Sequence, residues 1–169
     1  VSVGTGKGAE NGILIRSAQA LERARDITTI VLDKTGTITS GQPALTDVVP
    51  TDNMADTYLL RLAASSEKGS EHPIGEAIVR GAQDRGLQLT SPERFEAFPG
   101  GGIKASVDAH EVLIGTSRFL KENGIDTAPL DQTATDLQSQ GRTAILAAID
   151  GSPAGALAVA DTIRPESAG

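Results

Sequence analysis

Asp33-Lys34-Thr35-Gly36-Thr37-Ile38-Thr39, entered through the apolar triplet Ile30-Val31-Leu32, is the stretch on which the reading of this chain turns. Residues 28–32 predict a short buried strand, which would bring the Asp33 carboxylate out at the carboxyl edge of a sheet, where open α/β folds bind ligands. A carboxylate in that place can attack a phosphoryl group and form an acyl phosphate, dividing one hard transfer into two easier ones. Gly36 supplies a tight turn, the threonine hydroxyls and backbone N–H groups can surround phosphate oxygens, and Lys34 adds a positive point charge.

Outward from this string the chain alternates helical and strand patterns. Residues 9–25 carry helical spacing, with Ile13, Ala20, Leu21 and Ala24 set apart from Glu10, Arg16, Glu22 and Arg23. Ser40-Gly41-Gln42-Pro43 breaks the chain, so a domain junction is expected near residue 41, followed by a half-buried strand from Ala44 to Val49. Leu59, Leu62 and Ala63 mark one helix ending near Gly69, and Pro73 opens a second that Gly86 ends. Phe95 to Val107 reads as strand, glycine loop, strand, and a turn at Asp108-Ala109-His110 leads into Val112, Leu113 and Ile114. A short helix capped by Ser117 and closed at Gly124 comes next, then another over residues 130–140. Asp150-Gly151 between two apolar runs predicts a final hairpin.

The composition excludes several function classes. With 169 residues, the chain can form one domain, or one domain and part of another. A net charge of −7 without any Lys/Arg run argues against nucleic acid or an anionic membrane as partner. The chain has no cysteine, which removes disulfide frameworks, zinc ribbons and cysteine-based metal modules. No apolar run approaches the ~20 residues that a membrane-spanning helix needs, so no direct membrane insertion is expected. The opening at Val1 without Met reads as an excised segment.

Glu67 and His72 fall at the facing ends of two predicted helices and can point into one small pocket. A histidine at a helix N-terminus is biased toward the neutral imidazole, which can pack flat on a purine. Gly100, Gly101 and Gly102 strip every Cβ from a loop between two strands, so a ligand can come close to the backbone and receive N–H donors. Gly4-Thr5-Gly6-Lys7-Gly8 has a phosphate-loop flavour but lacks the preceding strand, the spacing and the Ser/Thr after lysine. His110 has no second histidine or cysteine near it in sequence and reads as a turn residue.

Three of these motifs carry a resemblance. Asp33-Lys34-Thr35-Gly36-Thr37 resembles the phosphorylation signature of the P-type ATPases, Ser70-Glu71-His72-Pro73-Ile74 resembles the motif of their heavy-metal branch, and Pro99-Gly100-Gly101-Gly102-Ile103 resembles that branch's nucleotide loop. The first sixteen residues are similar to the segment that follows a membrane helix in copper-type pumps. By this resemblance Asp33 is the phosphorylated residue, Lys34 belongs to its catalytic string, and Asp33 and Thr35 would be ligands of Mg²⁺. Glu67 and His72 would contact the adenine of ATP. Gly100, Gly102, Ile103 and Gly115 would line the nucleotide, together with Thr116, which stands where the family commonly has Asn. Asp161-Thr162-Ile163-Arg164-Pro165 resembles the return strand into the phosphorylation domain. The family segment that completes the Mg²⁺ site is missing, so the segment itself is expected to bind ATP without turnover.

The implied fold is α/β (α+β). Residues 42–160 would form a nucleotide-binding domain, an antiparallel sheet flanked by helices, inserted in an incomplete haloacid-dehalogenase-like phosphorylation domain of residues 1–41 and 161–169. The implied function is that of the ATP-binding region of a copper(I)-exporting pump, on the cytosolic face of a membrane. Its partners would be ATP and the remaining phosphorylation, actuator and membrane domains. A zinc or cadmium pump is the near alternative. A free-standing phosphatase of the haloacid-dehalogenase type would carry a second Asp at the position of Thr35, and a non-catalytic nucleotide-binding module would use the pocket alone.

Overall fold

Strands that alternate two apolar faces need a helical layer on each side, and the sheet of this protein is built that way. The computed structural model describes residues 2–33, 37–52, 54–163 and 167. The chain divides into two compact units, residues 1–33 and 34–169.

In the larger unit, β1 (Thr39–Pro50), β2 (Arg94–Phe98), β3 (Gly102–Val107), β4 (His110–Gly115), β5 (Thr143–Ile149) and β6 (Ser152–Ile163) form one sheet in the order β1-β6-β5-β4-β3-β2. Every neighbouring pair is antiparallel. Ile103, Ala105 and Val107 of β3, Val112 and Ile114 of β4, and Ile145 and Ala147 of β5 face one side. There they meet Leu59, Leu60, Leu62 and Ala63 of the helix Asp56–Glu67, and Ala77, Ile78 and Ala82 of the helix Pro73–Asp84. These two helices are α3 and α4, after α1 and α2 of the smaller unit. Leu113, Leu146, Ala148, Ala156 and Ala158 face the other side and pack on Phe119 and Leu120 of α5 (Ser117–Glu122) and Leu130 and Leu137 of α6 (Ala128–Ser139). Each fully buried Leu or Ile is worth about 1.5–3 kcal/mol in area removed from water.

Two tight hairpins set the register. Val107 pairs with His110 across Asp108 and Ala109, both at positive φ (50° and 65°), and Ile149 pairs with Ser152 across Asp150 and Gly151 (50° and 79°). Positive φ at both central residues is the turn that follows the right-handed twist of the strands. His110 binds these hairpins to α3: its Nδ1 lies 2.6 Å from Asp150 Oδ2 and its Nε2 3.1 Å from the Tyr58 hydroxyl. The His110 bond, followed by the Glu111 N–H, holds the Asp150 carboxyl below the usual carboxylate range. At the opposite end of the strands, Asp161 of β6 accepts from the Thr39 hydroxyl and from the Gly41 N–H at 3.0 Å, where Thr39 pairs with Ile163.

The smaller unit corrects two expectations. Of the helix expected over residues 9–25, only the last two residues of α1 (Ser2–Glu10) and α2 (Ala18–Ala24) are helical, with irregular chain between them that begins at a turn on Gly12, whose φ is +75°. The Gly4–Gly8 string lies inside α1, with Lys7 paired to Glu10 at 3.0 Å, and forms no anion loop. The strand expected over residues 28–32 does not form. Ile30, Val31 and Leu32 are 74%, 91% and 63% exposed, and no described strand pairs with them. A central parallel strand is held by neighbours on both edges and by helices on both faces, and its apolar sequence alone does not make it.

Candidate functional site

The C-terminus of α3, the N-terminus of α4, the β2–β3 loop, the end of β4 and the start of β5 surround one cleft of about 330 Å³. Among the residues lining it are Glu67, His72, Gly100, Gly102, Ile103, Gly115 and Thr116. The structure thus brings together, around a single cavity, all seven residues singled out from sequence for the nucleotide. The volume lies in the range of small-molecule sites, ~300–1,000 Å³.

Local sequence explains the walls. Phe98-Pro99-Gly100-Gly101 closes through a bond from the Gly101 N–H to the Phe98 carbonyl at 2.9 Å, with Gly100 at φ +71°. Proline in the second place and glycine in the third are what such a turn requires. No atom lies within 4 Å of where a Gly100 Cβ would project, so the backbone there is bare. Gly102 and Gly115 face each other across β3 and β4. A Cβ on Gly102 would fall on the Ile114 carbonyl oxygen and 2.7 Å from Gly115 Cα, and one on Gly115 on the Gly101 carbonyl and 2.8 Å from Gly102 Cα. These two glycines are demanded first by close approach of the strands.

On the opposite wall, His72 is the N-cap of α4 and its Nδ1 accepts from the Ile74 N–H at 3.2 Å. This bond orients the ring, which borders the cleft. Glu67 ends α3 and is only 6% exposed. Burial pushes its carboxyl up from the ordinary 4.5, and the Ser70 side chain, bonded to it, lowers it in part. Gly75, on the first turns of α4, makes room for this acid: a Cβ there would fall on Glu67 Oε2 and 3.0 Å from Ser70 Oγ. Thr116 is the N-cap of α5, its hydroxyl oxygen accepting from the Phe119 N–H at 3.2 Å, so the cap is one residue earlier than the expected Ser117.

Ile74, Phe98, Pro99, Ile103 and Ile145 supply apolar surface, and no Lys or Arg is among the lining residues. The walls of the cleft suit a flat, uncharged group with a hydrogen-bonding edge, and no cation on them would meet a polyphosphate. Gly75, Phe98 and Thr143–Ile145 escaped the sequence reading. A glycine inside a helix was the available signal for Gly75. The β5 residues had none, since they reach the cleft only through the pairing of β4 with β5.

Asp33 belongs to the smaller unit and is exposed. Lys34 and Thr35 lie outside the described residues. Among the described residues no group of three or more His, Cys, Asp or Glu is placed to hold a metal ion. Of the residues expected to hold Mg²⁺, Asp33 is the one among the described residues; a single carboxylate supplies one of the six oxygens such an ion takes, the others coming from water, phosphate or further ligands.

The haloacid dehalogenase-like hydrolase family matches residues 27–169. The copper-exporting P-type ATPase of Legionella pneumophila is 46% identical over 164 residues, which are 97% of this chain and 22% of that protein. The chain spans about a fifth of the length of the curated relatives it matches. Among solved structures, a zinc-transporting PIB-type ATPase in the E2.Pi state aligns with a TM-score of 0.89 at 33% identity, covering 99% of this chain and 27% of that one. The catalytic domain of the CPx-ATPase CopB-B, described for its conformational changes upon nucleotide binding, aligns with a TM-score of 0.65 at 25% identity, over 95% of this chain and 54% of that one. With the match running over most of its length, the chain belongs to the haloacid dehalogenase-like hydrolase family, in the branch of the heavy-metal P-type ATPases.

Proposed function

We propose that this chain is the ATP-binding segment of a metal-ion-exporting P-type ATPase, and that the cleft between α3, α4 and the glycine loop holds the adenine of ATP. The observation that carries the reading is the convergence of Glu67, His72, Gly100, Gly102, Ile103, Gly115 and Thr116 on one largely apolar cavity. The base lies against Ile103 and the His72 ring, Glu67 meets its edge, and the phosphates leave the cleft for solvent, consistent with walls that hold no cation. Asp33 is the phosphoryl acceptor in the complete pump, with Lys34 next to it in sequence supplying a positive charge and Thr35 helping to hold Mg²⁺. Copper(I) is the proposed cargo, supported by the Legionella relative, and the zinc-transporting neighbour favours zinc as the second reading. The segment works with the remaining phosphorylation, actuator and membrane domains on the cytosolic face. Among its described residues no helix is long and apolar enough to cross a membrane.

Titration of the chain with ATP, followed by backbone amide shifts, tests the cleft. Resonances of residues 67–75 and 98–116 are expected to move together, and Glu67→Ala to weaken ATP by about tenfold, the equivalent of one lost hydrogen bond to a buried partner. Shifts confined to other residues, or an unchanged affinity in Glu67→Ala, would remove the cleft from ATP binding.

A further inference from the structure

Glu67 is the only acidic or basic residue that the structure buries, among those described. Among the described residues no cation forms an ion pair with it, although Lys68 and Arg80 line a second, more open pocket on which Glu67 also borders. On its own helix end, Lys68 reaches away to the Leu89 carbonyl at 3.5 Å. On α4, Arg80 donates to the Pro43 carbonyl at 3.0 Å and lies 3.8 Å from Glu76, and His72 uses Nδ1 to cap the helix. Glu71, between the helices, is a like charge and exposed. The β2–β3 loop, the end of β4 and the start of β5 bring no titratable group to the cleft, and Lys104 of β3 is paired with Glu111 at 3.3 Å. The last carbonyls of α3 add the negative end of a helix dipole. A carboxylate in this place would face the apolar walls of the main cleft and a helix C-terminus, with the nearby Lys68 and Arg80 engaged elsewhere.

The edge of adenine presents an acceptor, N1, beside a donor, the exocyclic amine. A carboxylate can accept from the amine but sets lone pairs against N1. A carboxylic acid meets both, since it has an O–H to give as well as an oxygen to receive. Resting on the nucleotide reading of the cleft, we propose that Glu67 binds the base as the neutral acid, its O–H donating to N1 and its carbonyl oxygen accepting from the exocyclic amine, so that the grip on adenine loosens as the solution becomes more alkaline. The raised carboxyl pKa agrees in direction, and donation to N1 would raise it further.

Adenosine is the probe of choice, because it has no phosphate to titrate alongside Glu67. Its affinity for the chain, measured by calorimetry at constant ionic strength from about pH 5 to about pH 9, is expected to fall by up to about tenfold per pH unit once the carboxyl ionises. Glu67→Gln, whose amide donates to N1 and accepts from the amine at every pH, is expected to give a flat profile. On the unsubstituted chain, 1-deazaadenosine keeps the amine and lacks N1, and its affinity is expected to be about tenfold weaker at the acid end and nearly independent of pH. A flat or rising profile for adenosine, or equal affinity for the deaza compound, would overturn the neutral-acid contact while leaving the nucleotide cleft standing. Absence of adenosine binding at every pH would overturn both.

Discussion

At the level of single residues, the feature with the largest electrostatic consequence is a carboxyl group closed in at the end of α3. Glu67 is 6% exposed, and desolvation lifts its carboxyl above 4.5 despite the compensating bond to Ser70. The sign of the effect on stability follows from which state releases its proton first. The unfolded chain ionises Glu67 near the ordinary value, and the folded chain only at higher pH. Stability is therefore unaffected by this group below the unfolded pKa, falls as pH rises between the two, and stays reduced above the folded one. Glu67→Gln keeps the shape and the Ser70 partner and removes the ionisation. Its Tm is expected to exceed that of the unsubstituted chain by about 2–4 °C near pH 8, the gap closing toward pH 4. Thermal unfolding by circular dichroism at several pH values decides it, and a gap that does not change with pH would mean that charge is not what Glu67 contributes.

At the level of elements, the glycine loop shows what a sequence can and cannot convey. Three adjacent glycines read as a backbone opened to a ligand, and Gly100 meets that description, with φ +71° and nothing within 4 Å of its missing Cβ. Gly102 has a different reason, since its Cβ would strike the backbone of Ile114 and Gly115. No rotamer change relieves a clash with main chain. Gly102→Ala is expected to lose about 2 kcal/mol or more in urea unfolding, whereas Gly100→Ala should lose about 1 kcal/mol, the strain of a left-handed residue. Equal losses would mean that the β3–β4 approach has slack. The hairpins at Asp108-Ala109 and Asp150-Gly151 were legible because their signals are local. α3 and α4 were legible as well, because Leu59, Leu62, Ile74 and Ile78 mark their apolar faces by spacing alone. The strand expected at residues 28–32 was misjudged because a parallel strand exists only through partners distant in sequence, and apolar runs look alike whether or not those partners are in place. Thr143–Ile145 were legible as part of a strand, but they reached the site through the same kind of long-range pairing, which the sequence does not mark.

At the level of the whole molecule, the two units differ in how they are stabilised. The unit of residues 34–169 holds two apolar cores, one on each face of its sheet, with Leu59, Leu60, Leu62 and Ile78 fully enclosed in the first and Leu113, Leu120 and Leu146 in the second. Its strands β1 and β6, the first and last in sequence, pair along their length, so the ends of the unit are tied to each other by backbone hydrogen bonds and by Asp161 with Thr39 and Gly41. All seven lining residues proposed for the nucleotide belong to it. In residues 1–33, by contrast, α2 buries none of its side chains, and Val3, Leu14 and Val31 are 87%, 90% and 91% exposed. Short helices with nothing apolar enclosed are marginal in water, because nucleation entropy outweighs a few hydrogen bonds. A chain beginning at residue 37 is therefore expected to fold with a Tm within about 3 °C of the full chain, a shift that a change of under ~1 kcal/mol produces. Its affinity for ATP should match that of the full chain within about twofold, because the proposed contacts all survive the deletion. The measurement is differential scanning calorimetry with and without nucleotide on both chains. A truncated chain that melts far lower, or that keeps its Tm and binds ATP much more weakly, would show that the first 36 residues contribute to the sheet or to the cleft.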